Sequence, residues 1–142
     1  MSTHRNVAYA IVRALLADPP EVDRQSLKGH VVFENDRYKP VQGQPYVECL
    51  WLPGTQQGTI DGKTIWELGT MRLEANSPLK GGATYLNALV DELMQKYPIS
   101  SRLTFMDWAV TIVALTRSSA TRVEGWRRVF VDVGYHANTV AA

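Results

Sequence analysis

"WRRVFVDVGYHA", residues 126–137, alternates without a break. Val129, Val131, Val133 and Tyr135 fall on one side of an extended chain, and Arg128, Phe130, Asp132 and His136 on the other, because successive strand side chains point to opposite faces. Such a strand belongs to a sheet with one dry face and one of different character. The same pattern recurs upstream. In "IWELGTMRLEAN", Ile65 to Asn76, Met71, Leu73 and Ala75 can face a core while Thr70, Arg72 and Glu74 face away. In "YVECLWL", Tyr46 to Leu52, Val47, Cys49 and Trp51 oppose Tyr46, Glu48, Leu50 and Leu52. "HVVFEN" supplies a short strand from His30 to Glu34. "AVTIVALTR", residues 109–117, is apolar on both faces, which predicts a central strand.

Two segments change the period. Leu86, Leu89, Val90, Leu93, Met94 and Tyr97 recur at helical spacing, with Asn87, Asp91, Glu92, Gln95 and Lys96 on the other side and Pro98 as a stop. Near the start, Val7, Ala8, Ile11, Val12, Leu15 and Leu16 form a second stripe, ended by "DPPE" at 18–21. The order is helix, three strands, helix, two strands. It predicts an α+β fold with a mixed, mainly antiparallel sheet, two helices packed on one face and an extended β-hairpin around the polar "TQQGTIDGK" at 55–63. At 142 residues the chain is expected to form one domain.

Composition excludes several classes. Fifteen basic and fourteen acidic residues leave a formal net charge of +1, so no global field draws the chain to nucleic acid or membrane. No apolar run approaches the ~18 residues of a bilayer-spanning helix. "MSTHRNVAYA" lacks a signal-peptide apolar region, so a soluble, cytoplasmically made protein is expected. The single cysteine, Cys49, sits in an apolar run and reads as a buried small hydrophobe. His4, His30 and His136 are scattered without metal-ligand spacing, and no nucleophile elbow, P-loop or dinucleotide fingerprint occurs. "KGGAT" at 80–84 reads either as an anion-holding helix start or as a strand-to-helix turn. No catalytic residue, cofactor or metal is expected.

Aromatic strand surface, by contrast, is over-supplied. Tyr46, Trp51, Trp66, Trp126, Phe130 and Tyr135 all lie on strands, and Trp66, Trp126 and Phe130 fall on the face away from the helices. They either pack within the chain or meet a neighbouring subunit, since Trp, Tyr and Arg are enriched in interface hot spots. Arg127 and Arg128 flank them, as a solvated strand end or as a dock for an acidic partner. "ENDRYKPVQGQPYV", residues 34–47, is a proline-stiffened loop carrying Tyr38, suited to an arm or a lid.

The run "VVFENDRYKPVQGQPYVECLWLPG", the strand "LGTMRLEA", the helix "GGATYLNALVDELMQKYP" and the ending "RVFVDVGYHA" resemble, in order and spacing, the tail terminator proteins of long-tailed bacteriophages. The resemblance spans nearly the whole chain and rests on no catalytic motif. It implies a homo-oligomeric ring, hexameric in that family, on the head-proximal end of the tail tube. Its partners would be the tail tube protein and the head–tail connector or neck proteins. DNA would pass through the lumen without sequence-specific binding, and Arg72 and Glu74 could line that channel. Tyr38, Tyr46, Trp66, Trp126, Arg127, Arg128 and Phe130 are the expected subunit or tube contacts. A neck protein of the same virion is the alternative.

Overall fold

The computed structural model describes residues 3–22, 25–33, 39–41, 43–52, 54, 56–58, 65–79, 82–106 and 108–139. Helix α1 (Thr3–Ala17) is followed by the short strands β1 (Glu21–Val22), β2 (Gln25–Ser26) and β3 (Val31–Phe33). Then come β4 (Tyr46–Leu52), β5 (Gln56–Gly58), the long β6 (Ile65–Pro78) and helix α2 (Gly82–Gln95). The chain closes with β7 (Arg102–Phe105), β8 (Trp108–Arg117), β9 (Thr121–Val123) and the long β10 (Trp126–Thr139).

One mixed sheet runs in the order β3-β4-β6-β10-β8-β7, with β5 added on β6 and β9 on β10. Only the β3–β4 pair is parallel. β1 and β2 form a separate antiparallel pair. The expected α+β class with a mainly antiparallel sheet is therefore the fold. β5 pairs with the start of β6, giving the base of the expected hairpin, whose residues 59–64 lie outside the described residues.

The two long strands, β6 and β10, are the centre. They pair from Trp126 opposite Pro78 to Asn138 opposite Trp66 without a register break. Since the side-chain period is two, Met71, Leu73 and Ala75 land beside Val133, Val131 and Val129, and beside Trp51, Cys49 and Val47 of β4. All are buried except Trp51, which is half-buried. Onto this face pack Val7, Ile11 and Leu15 of α1 and Leu86, Leu89, Val90 and Leu93 of α2. Cys49 is buried among them, as its sequence context implied.

Two details make the inner face fit. Gly69 lies opposite Tyr135, and a Cβ there would come within 2.5 Å of the Tyr135 hydroxyl oxygen. That close approach lets Trp51 Nε1–H donate to Tyr135 Oη at 2.6 Å. Burial, opposed by the Trp51 hydrogen bond and reinforced by Glu67, pushes the Tyr135 phenol up to about 12. At the other detail, fully buried Tyr97 donates its hydroxyl to the Ile11 carbonyl at 2.7 Å, tying the segment after α2 to the middle of α1.

Three expectations need correction. Leu16 is exposed, so the buried stripe of α1 closes at Leu15. Residues 109–117 are not a central strand throughout. β8 is buried over its first half, where β7 covers it, and largely exposed over its second half. The two strands expected after the second helix are four, because β7 and β9, four and three residues long, are too short to display a period in the sequence.

Replacing Tyr97 by Phe removes the only polar atom of that side chain and leaves its packing. Chemical denaturation should show a loss of about 1 kcal/mol, the usual net value of one such hydrogen bond. Burial raises the Tyr97 phenol well above its ordinary value, so its neutral form belongs to the native state. Stability held below the ordinary phenol range should fall as pH rises through and above it, and Tyr97→Phe should shrink that fall.

Candidate assembly interface

The register that dries one face also composes the other. Across β4, β6 and β10 the outward residues form rows: Tyr46–Asn76–Arg128, then Glu48–Glu74–Phe130, then Leu50–Arg72–Asp132, then Leu52–Thr70–Gly134. Further along, Leu68 lies opposite His136 and Trp66 opposite Asn138. No helix covers this face among the described residues.

Charged groups there are arranged rather than scattered. Arg72 grips Asp132 with two parallel hydrogen bonds, Nε to Oδ1 at 2.8 Å and Nη2 to Oδ2 at 3.1 Å. Its guanidinium carbon also sits 4.7 Å from the Phe130 ring centroid, a cation–π contact. The Asp132 hydrogen bond raises the Arg72 pKa further. Arg128 donates from Nε to Asn76 Oδ1 at 2.8 Å and lies between Tyr46 and Glu74. Tyr46 packs edge-on against Trp126 at 5.2 Å between centroids. Burial raises the Tyr46 phenol, with Arg128 opposing.

Glu48 and Glu74 stand directly opposite each other on neighbouring strands, a like-charge placement that costs free energy when both are ionised. Burial pushes the Glu74 carboxyl up, Arg128 opposes this, and Glu48 adds to it.

The structure thus brings together six of the expected residues: Tyr46, Trp126, Arg128, Phe130, Arg72 and Glu74. Trp66 shares their face at its far end, stacked on His136 at 4.7 Å and 38% exposed, beside exposed Leu52 and Leu68. Arg127 does not join them. Strand alternation sends it to the helix-bearing side, opposite Ser77 on one neighbour and Arg122 on the other. Tyr38 lies outside the described residues. Pro45 and Tyr46, which end its loop, are buried, so that loop is anchored at its strand end. Asp132, Asn76 and Glu48 escaped the sequence reading because their roles come from cross-strand register.

Among the described residues no group of His, Cys, Asp and Glu is spaced to hold a metal, and no helix is long and apolar enough to cross a membrane. An open recess between the helices is lined by Ala14, Asp18, Glu92, Gln95 and Lys96 and spanned by the Lys96–Asp18 ion pair at 3.1 Å.

Neither the family models nor the curated proteins compared with this sequence match it. Solved structures do. One solved structure aligns over 96% of both chains at 15% identity with a TM-score of 0.73. A chain from the virion of a native gene transfer agent particle aligns over 98% of both chains at 18% identity with a TM-score of 0.59. At these identities the likeness is one of fold, and it extends over essentially the whole chain.

Neutralising Glu74 tests the carboxyl pair. A carboxyl raised in the native state gives stability that is present below its unfolded pKa and lost as pH rises through its folded pKa. Glu74→Gln should therefore raise the thermal midpoint at neutral pH, and the gain should shrink as pH falls through the ordinary carboxyl range, where Glu74 takes up its own proton. A loss at neutral pH would mean that the attraction of Arg128 and Arg72 outweighs burial and Glu48.

Proposed function

We propose that this chain is a structural protein of a phage-like virion, without a catalytic role, and specifically a ring-forming tail terminator. In this reading copies assemble, six to a ring, on the head-proximal end of the tail tube. The ring stops tube polymerisation and offers a surface to the head–tail connector. The observation that carries it is the end-to-end fold likeness to a chain of a gene transfer agent virion. The motifs quoted from the sequence point the same way.

The outer face suits such assembly. It offers the Trp66–His136 stack and half-buried Trp126, backed edge-on by buried Tyr46, with exposed Leu52 and Leu68, as contact for a neighbouring copy or the tube. A ring needs two unlike surfaces on each subunit, a heterologous contact that closes. Arg72, held by Asp132, and Glu74 present a nearly balanced polar strip, compatible with a lumen through which DNA moves without being gripped. The same fold likeness is equally compatible with a neck role in the same virion.

Sedimentation of the purified protein, alone and with its tail tube protein, tests the reading. A sixfold mass, free or only on tube ends, together with shortened tubes, is the expected outcome. Trp66→Ala should weaken the assembly while leaving the fold's circular dichroism unchanged. A monomer that ignores tubes but binds portal-side proteins would move the role to the neck. A monomer indifferent to both would overturn it.

A further inference from the structure

The second half of β8 and the whole of β9 form an open sheet edge. The chain from Trp108 to Val123 runs alongside β10: β8 pairs with it, Ser118 N–H donates to Phe130 O at 2.9 Å, and β9 completes the row. On the opposite side β7 covers β8 only as far as Thr111. Ile112 is served by Ser100 N–H to its carbonyl at 2.7 Å and by its own N–H to Ser101 O at 2.9 Å. From Val113 to Val123, on the order of 35 Å of extended chain, no neighbour lies on that side among the described residues.

Parity shows which backbone groups point outward. Glu124 and Gly125, both with positive φ, make a two-residue turn between Val123 and Trp126. Val123 and Trp126 therefore exchange ladder bonds, and Arg122 and Arg127 form the next, non-bonded pair. Ser118 bonding to Phe130 keeps the same parity along β10. The N–H and C=O groups of Leu115, Arg117 and Arg122 then face away from β10. Natural edges are usually blunted by proline or inward charge. "VALTRSSATRV", residues 113–123, has neither proline nor acid, and its guards are the bulge at Val113 and two arginines.

Those arginines describe the partner. Arg122 and Arg127 face each other in a non-bonded pair, the closer of the two cross-strand placements, so their like charges repel. Neither takes part in an ion pair among the described residues, where the pairs join Arg72 to Asp132, Lys96 to Asp18 and Arg117 to Asp91. A carboxylate between the two guanidiniums would relieve the repulsion. We infer that the margin of residues 113–123 receives an extended, acidic segment of another protein as an added β-strand. Main-chain bonds to Leu115, Arg117 and Arg122 hold it, and Arg122 with Arg127 selects its carboxylates.

The test needs no knowledge of the natural partner and does not depend on ring formation. The probe is a ten-residue peptide of alternating threonine and glutamate, followed by amide hydrogen exchange of the whole chain. Amides of Leu115, Arg117 and Arg122 should exchange quickly in the free protein and become protected with peptide. Binding should weaken with salt, and at least about tenfold in Arg122→Glu. That variant removes a like-charge pair and should fold as well as the parent, as circular dichroism would check. A threonine–lysine peptide should not bind. No protection at millimolar peptide overturns the inference, as does protection that grows with protein concentration alone, which would give the edge to a second copy. Equal binding of a ten-nucleotide single strand also overturns it, assigning the arginines to phosphate. A hexamer with an unreactive margin would defeat this inference and leave the ring; a reactive margin on a lasting monomer would do the reverse.

Discussion

The unbroken pairing of β6 with β10 is the constraint on which the rest depends. Thirteen opposed pairs fix thirteen choices of face at once. A slip of β10 by one residue would turn Val129, Val131 and Val133 to the outside and bring Arg128, Phe130 and Asp132 under the helices, two of them charged groups without water. No local adjustment could offset that. The helices enforce the register from one side, since Ile11, Leu15, Leu89 and Leu93 find an apolar surface in only one of the two settings.

A sheet covered on one side must make its other side tolerable in water. This chain does so by cross-strand pairing of unlike groups. Arg72 is neutralised by Asp132 and also shields the Phe130 ring. Arg128 lies among Asn76, Tyr46 and Glu74. The two aromatic contacts, Tyr46 with Trp126 and Trp66 with His136, turn isolated rings into compact pairs. A partly exposed ion pair such as Arg72–Asp132 adds little stability by itself. Its main consequence is order: fewer side-chain rotamers remain to be lost when a partner docks.

What could be read in the sequence follows from how many residues each element has in which to declare its period. β6 and β10 state theirs repeatedly, so both faces and nearly all outward residues were legible, down to Trp66, Phe130 and Arg72. α2 was legible for the same reason. β8 misled because an apolar run looks alike whether both faces are buried or one end hangs free; Val113 and Ala114 carry no mark of exposure. Arg127 and Arg128 looked like a pair because they are adjacent, yet adjacency on a strand means opposite faces. The meeting of Glu48 with Glu74, and of Arg122 with Arg127, depends on register between distant segments, which no single-strand pattern contains.

These like-charge meetings share a physical meaning. In each, folding places two equal charges opposite one another where an uncharged residue would cost nothing. The carboxyl pair has a counter-charge at hand, because Arg128 stands beside Glu74. The arginine pair joins no ion pair among the described residues. An anion from outside the described chain would relieve its repulsion. The pair sits where the sheet also leaves main-chain donors and acceptors unmatched. Two independent deficits, of charge and of hydrogen bonds, thus coincide on one margin, and an extended acidic strand answers both.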